Sequence, residues 1–116
     1  MTNSNTIKIL EEIKARAAFL NELVQYAPDS IVSKILLDKP VGSLTLFAFD
    51  KGQRLSEHTS PYDAVVQIID GTAELTIGGQ TVFAEKGQSV VMPAGIPHAV
   101  HAKTAFKMLL TMIRQK

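Results

Sequence analysis

Three histidines, His58, His98 and His101, are the side chains of this sequence best suited to chemistry. The chain has no cysteine, which excludes a nucleophilic thiol, a disulfide and a thiolate metal site. An imidazole can bind a metal ion, exchange a proton near neutral pH, or hydrogen-bond a ligand through either ring nitrogen. The chemistry open to this chain therefore depends on where the fold places these rings.

The regions around the histidines have the pattern of short β-strands. Stretches rich in Val, Ile, Leu and Phe, bounded by Gly, Pro or Asp, predict eight strands. A Gly-Gly pair at 78–79 is typical of a two-residue hairpin turn, which needs positive φ at both central residues. Many short strands without intervening helices predict an antiparallel sandwich or barrel. The predicted strands are residues 30–37, 43–49, 64–69, 72–77, 80–84, 89–92, 98–102 and 105–113.

The first 28 residues follow a different period. Between residues 7 and 24, apolar side chains recur at spacings of three and four, which predicts an amphipathic helix. Pro28 closes this region. We therefore expect a helical extension over residues 1–28, covering the edge of a sheet, and one β domain over residues 29–116.

Length and charge exclude several classes of function. The 116 residues allow one domain and exclude a two-domain enzyme. A formal net charge of +1 gives no strong field toward nucleic acid or acidic lipid, so we expect neither as a partner. Charged residues interrupt every short apolar stretch near the N-terminus, which fits neither a signal peptide nor a membrane helix. The expected location is cytoplasmic.

The stretch GQRLSEHTSPYDAVVQIIDG, which begins at Gly52, carries a recognisable spacing. It resembles the first motif of the cupins, which is Gly, five residues, His-x-His, three or four residues, Glu, six residues and Gly. Gly52, His58 and Gly71 fall on that motif.

The stretch GQSVVMPAGIPHAVHA resembles the second cupin motif, which is Gly, five residues, Pro-x-Gly, two residues, His, three residues and Asn. Gly87, Pro93, Gly95 and His98 match it. The resemblance implies an all-β fold, a double-stranded β-helix or jelly-roll barrel that opens at one end into a pocket. Closure of the barrel also removes the unpaired edges that so many short strands would otherwise expose.

The metal ligands that the resemblance implies are incomplete. In metal-binding cupins, two His and one Glu of the first motif and the His of the second motif converge on one divalent cation. Here Ser60 replaces the second His, and Ala64 stands where the Glu belongs. His58 and His98 remain as candidate ligands for Zn, Ni, Mn or Fe, with Asp63 as the best spare carboxylate. Two neutral imidazoles without an anionic ligand predict an affinity well below that of the family.

Strand alternation predicts which side chains face the pocket. From Ala64 to Ile68, every second side chain should face the interior of the barrel, while Gln67 points the other way. In the same way, His101 falls on the face opposite to that of His98, where it is structural or exposed.

Three functions remain open at this point. The first is binding of a small molecule in a pocket lined by His58, Ser60, Tyr62 and His98. The alternative is a metal-dependent cupin enzyme, a dioxygenase, decarboxylase or isomerase that uses His58 and His98. A third is a metal-free isomerase or epimerase with one imidazole as the base and Tyr62 as its partner. The apolar stretch 30–37 also predicts a homodimer, because an exposed edge strand should tolerate fewer apolar side chains.

Overall fold

The computed structural model describes residues 13–114, which fold mainly as antiparallel β-strands in two sheets. The all-β prediction is confirmed, and each of the eight predicted strands is present with its ends shifted by at most two residues. One further strand, Arg54–His58, was not predicted. The strands in this range are β1 Ile31–Lys39, β2 Gly42–Phe49, β3 Arg54–His58, β4 Asp63–Asp70, β5 Thr72–Ile77, β6 Gln80–Glu85, β7 Ser89–Met92, β8 His98–His101 and β9 Phe106–Ile113.

The two sheets pack face to face. One sheet has five strands in the order β1-β2-β9-β4-β7, and the other has four in the order β3-β8-β5-β6. Neighbouring strands are antiparallel throughout. The strands that carry the two cupin-motif histidines, β3 and β8, are therefore adjacent in the smaller sheet.

The main core lies between the sheets and follows the predicted alternation. Ala64, Val66 and Ile68 on β4 are 4%, 0% and 2% exposed, which confirms that they face inward. Phe49 on β2 and Phe106 on β9 are fully buried and stacked, with ring centroids 4.6 Å apart. These large side chains are part of the core between the sheets.

The segment before β1 packs on the outer face of the five-stranded sheet. Residues 7–12 of the predicted helix lie outside the described residues. Beyond Ile13, the described part of the predicted helix contains only a 3-10 turn, at Leu20–Glu22. Ala15 has a φ of 57°, which a right-handed helix does not accommodate. The apolar residues of this segment, including the fully buried Val24, pack against the sheet instead. Within residues 13–114, no helix is long and apolar enough to cross a membrane.

Polar contacts fasten this segment to the sheet. The hydroxyl of Tyr26 donates a hydrogen bond to Asp70 Oδ2 at 2.6 Å. Burial raises the pKa of Tyr26, and the contact with the Asp70 carboxylate raises it further. Lys107 is 7% exposed, and its ammonium donates to the carbonyl of Asn21 at 2.6 Å and lies 4.8 Å from the centre of the Tyr26 ring. The buried lysine therefore has both a hydrogen-bond acceptor and an aromatic face beside it.

Candidate functional site

The two imidazoles meet inside the barrel because of an irregularity in β3. Leu55 pairs with Val100 in the register of β3 and β8, and both side chains face the interior. In a regular strand, residue 57 would be the next to face inward. A bulge between Leu55 and His58 adds one residue, so His58 pairs with His98 and its side chain turns into the barrel.

The rings of His58 and His98 are in hydrogen-bonding contact. Their Nε2 atoms are 3.0 Å apart, and the ring planes are inclined by 71°. His98 is buried at 5% exposure, whereas His58 is exposed at the mouth. The sequence places these residues forty positions apart, and the fold brings them to one point.

Backbone carbonyls orient both rings. The Nδ1–H of His58 donates to the carbonyl of Ser56 at 2.8 Å, and the Nδ1–H of His98 donates to the carbonyl of Ile96 at 3.2 Å. These contacts and the one between the Nε2 atoms need three ring hydrogens, but two neutral imidazoles have two. With both Nδ1 atoms protonated, two Nε2 lone pairs face each other, and a bound donor group can satisfy them. The pair is therefore a candidate polar contact for a ligand.

A cavity of about 120 Å³ lies beside the pair. At roughly 30 Å³ per water molecule, it has room for about four waters or one small ligand. Its polar lining consists of His58, Ser60 and His98. The remaining lining is apolar and consists of Phe47, Leu55, Ala64, Met92, Val100, Met108, Leu110 and Met112.

The loops at the mouth hold the other predicted site residues. Ser60 lines the cavity, and its Oγ accepts a hydrogen bond from the backbone N–H of Tyr62 at 3.1 Å. Tyr62 itself is not part of the cavity lining. The carboxylate of Asp63 accepts a hydrogen bond from the N–H of Ala94, and the carbonyl of Ser60 accepts one from the N–H of Gly95, both at 2.8 Å. Asp63 thus braces the two loops that form the rim.

The predicted pocket set did not include the eight apolar lining residues, of which Leu55 and Leu110 are examples. Leu110 alternates along β9 with Met108 and Met112, so periodicity could have identified it. Leu55 had no such signal, because the strand that carries it is mostly exposed and was not recognised.

His101 lies on the outer face of the four-stranded sheet, as alternation predicts. Its Nδ1 is 2.6 Å from Glu74 Oε2, and the ammonium of Lys103 is 3.4 Å from the other carboxylate oxygen. The hydrogen bond from His101 is the main cause that holds the pKa of Glu74 below its ordinary value, with a smaller effect of Lys103. This pair belongs to a different surface from the barrel cavity.

The donor set does not fit a resident metal ion of the usual kind. Protein sites for catalytic zinc supply three side-chain ligands. Residues 13–114 contain no group of three or more His, Cys, Asp or Glu side chains that could hold an ion. Ser60 and Ala64 line the cavity at the two motif positions where the ligands are missing, and Asp63 is engaged at the rim. Two neutral imidazoles alone offer no charge to offset a dication.

Comparison with known proteins agrees with the fold and the motifs. Residues 45–114 match the family described as the cupin domain. This match covers more than half of the chain, and the chain belongs to the cupin family.

Similar proteins of known structure share the fold over most of this chain. A conserved protein of unknown function from Streptococcus pyogenes is 41% identical, with a TM-score of 0.84, over 88% of this chain and 90% of that chain. A cupin 2 conserved barrel domain protein from Leptotrichia buccalis is also 41% identical, with a TM-score of 0.79, over 81% of this chain and 46% of that chain.

A curated relative matches a shorter segment. An uncharacterised protein from Streptomyces coelicolor is 34% identical over 59 residues, which is 51% of this chain. The match spans 56% of that relative's length. None of these three proteins has a name that states an activity.

Proposed function

We propose that this chain binds a small molecule in the cavity between its two sheets, with His58, Ser60 and His98 as the polar contacts. The observation that supports this function is the contact between the His58 and His98 rings in the lining of one cavity, whose other lining residues are apolar except for Ser60. Ligand sites commonly combine apolar walls with a few polar groups. The imidazoles and the hydroxyl offer both donors and acceptors. The cavity volume of about 120 Å³ restricts the ligand to a few heavy atoms, with one hydrogen-bonding group and an apolar remainder.

A thermal-shift panel tests this function directly. Short carboxylic acids, with the amides and alcohols of the same chain length, are added to purified protein made without a His tag. A ligand present at a hundred times its Kd should stabilise the fold by about 2.7 kcal/mol. The change Ala64→Leu places a larger side chain in the cavity and should remove the shift. Val91→Leu changes an exposed residue on β7 and is the matched control. A panel in which no compound raises Tm, or in which Ala64→Leu binds as well as the control, contradicts the proposal.

The alternative is a metal-dependent cupin enzyme in which His58 and His98 hold a divalent ion. The convergence of both Nε2 atoms, with each Nδ1 bound to a carbonyl, supports this alternative, because metal-binding histidines commonly donate their second N–H in this way. The absence of a third ligand in residues 13–114 opposes it. Elemental analysis for Zn, Ni, Mn and Fe separates the two functions. Near-stoichiometric metal that disappears in His58→Ala supports the enzyme, and metal content near zero after incubation with each salt excludes it.

We also propose that the functional unit is a homodimer. Three large apolar side chains, Leu37, Val41 and Ile113, are 37%, 68% and 49% exposed around an apolar groove of about 210 Å³. The groove lies beside β1, an edge strand of nine residues. An antiparallel pairing of β1 with a second copy is compatible with two-fold symmetry, and it would cover both the free strand edge and the apolar patch.

Light scattering across a range of concentrations tests the dimer. The wild type should have twice the monomer mass at micromolar concentration, and Val41→Glu should shift it toward the monomer. The control Val91→Glu introduces the same charge on β7, the opposite edge strand of the same sheet, and should leave the dimer intact. A monomeric wild type, or equal behaviour of the two variants, contradicts the proposed interface.

A further inference from the structure

A second concave site lies outside the barrel, on the outer face of the four-stranded sheet. It is a polar groove of about 430 Å³ that crosses β3, β8 and β5. In register, Arg54 of β3 lies opposite His101 of β8, which lies opposite Glu74 of β5. These side chains alternate with residues that face the core, so the groove and the barrel cavity open on opposite faces of one sheet.

Small side chains create the depth of this groove. Ala99 and Thr76 are paired on neighbouring strands and form the next row of the outer face. Ala99 is half-buried, and its methyl group reaches a much shorter distance from the sheet than the side chains on either side. The neighbours of Ala99 along β8 point into the barrel, so a change at this position alters the groove and not the cavity lining.

Some charged side chains along the groove form ion pairs within the described residues, and others do not. Glu74 is paired with both His101 and Lys103. Arg54 and Glu57 also line the groove, and neither takes part in an ion pair within residues 13–114. Among the charged residues that line the groove, Arg54 and Glu57 are therefore the cation and the anion that have no ion pair within the described residues.

We propose that this groove binds a small zwitterion of the free amino-acid class, whose carboxylate contacts Arg54 and whose ammonium contacts Glu57. A simple anion would gain the contact with the Arg54 guanidinium but would lie near the unpaired Glu57 carboxylate. A simple cation would gain the contact with the carboxylate but would lie near the unpaired guanidinium. A zwitterion satisfies both groups at once, while the hydroxyls of Ser56 and Thr76 offer further hydrogen bonds. This site does not depend on the function proposed for the barrel cavity.

The affinity should be modest, because both charged groups are exposed. Exposed ion pairs contribute up to about 1 kcal/mol each, which is about a fivefold change in Kd. We expect dissociation constants in the millimolar range. Such binding is measurable by NMR titration, in which the backbone amides of Thr76, Ala99 and His101 report on the groove.

The experiment titrates the full chain with common amino acids, and with the deaminated acid and the decarboxylated amine of each one that binds. At least one amino acid should shift the groove amides saturably, and its two singly charged analogues should bind about fivefold more weakly. Arg54→Gln and Glu57→Gln should each weaken binding by a similar factor, and Ala99→Leu should remove it. Lys51→Gln and Glu85→Gln make the same charge changes at exposed positions outside the groove and serve as controls.

Several results would overturn the proposal. These are no saturable shift with any amino acid at 50 mM, equal binding of an amino acid and its deaminated acid, or unchanged binding in both charge variants. A far-ultraviolet circular dichroism spectrum and a Tm for each variant show that it is folded. If Ala99→Leu does not fold, the two charge variants decide the outcome by themselves.

Discussion

Restoring the two missing ligands should convert the cavity into a metal site. Ser60 and Ala64 occupy the cupin positions of the second His and the Glu, and both line the cavity together with His58 and His98. In the double variant Ser60→His/Ala64→Glu, four ligand side chains would therefore surround one space. The prediction tests the geometry of the site separately from its natural ligand.

The magnitude follows from the cavity volume. About 120 Å³ is room for on the order of four waters, and the added imidazole and carboxylate use most of it. Without metal, the tighter packing should destabilise the fold by about 1–3 kcal/mol. Metal at a hundred times its Kd should return about 2.7 kcal/mol, which for a chain of this length is on the order of 10 °C in Tm.

Thermal unfolding with Zn²⁺, with Mn²⁺ and with EDTA measures this effect, and elemental analysis gives the stoichiometry. The wild type should show no more than a small shift, and each single variant an intermediate one. A folded double variant that retains no metal after desalting would mean that the four side chains do not converge, and the account of the site given above would be wrong.

The remaining predictions concern the fold around the site. Phe106→Leu should destabilise by roughly 1–3 kcal/mol, measured by urea unfolding, because it removes a fully buried ring from an aromatic stack. Gly71→Ala should prevent folding or cost several kcal/mol, since φ is +71° and a Cβ would overlap the backbone carbonyl oxygen of Ala105. Tyr26→Phe should make the free energy of unfolding less dependent on pH in alkali. Because the pKa of Tyr26 is raised in the folded protein, the protonated hydroxyl stabilises the wild type below pH 10, and this stabilisation is lost as the pH rises further. Glu74→Gln should be less stable than the wild type above about pH 4.5, and this difference should become smaller as the pH falls further. The lowered pKa means that the Glu74 carboxylate stabilises the fold above this pH and that this stabilisation is lost when the carboxylate is protonated.

Matched controls make these outcomes interpretable. Gly87→Ala is the control for Gly71→Ala, because its φ is also positive but a Cβ there meets no atom within 4 Å. Equal losses in the two glycine variants would show that the close carbonyl is unimportant. If the stability of Tyr26→Phe and of the wild type changed in parallel above pH 10, the predicted role of the Tyr26 hydroxyl would be wrong. Parallel changes for Glu74→Gln and the wild type in acid would likewise contradict the predicted role of the Glu74 carboxylate. A Phe106→Leu variant as stable as the wild type would show that the stack contributes little.

Alternation and turn glycines were enough to predict most of the barrel. On β4, β5 and β8, buried residues alternate with more exposed ones, so the periodicity of these strands reflects the core. β3 was not predicted because only Leu55 of its five residues is half-buried and the others are exposed. This strand is defined by its pairing with β8. The helix predicted for the N-terminal segment was mostly not found, although the spacing of its apolar residues suits a helix. Contacts with the sheet and the positive φ of Ala15 determine the path of this segment instead.

The two histidines of the site could be predicted from the sequence, but the backbone and side chains around them could be predicted only in part. Motif spacing selected His58 and His98, but the inward turn of His58 depends on a bulge that periodicity does not reveal. Tyr62 was expected in the pocket, whereas the turn that follows Ser60 leaves it outside the lining. Short loops that contain proline have several allowed geometries, so the direction of a single side chain in them does not follow from the sequence.

The extra residue in β3 makes the pairing of the two imidazoles depend on the register of the strand as well as on residue type. A regular pairing of the same residues would place Glu57 opposite His98 and turn the ring of His58 to the outside of the sheet. Deleting one residue between Leu55 and His58 would instead remove the bulge and leave the histidine two places after Leu55, so that its ring would still face the barrel. A one-residue gap at this place is therefore compatible with the same pair of imidazoles.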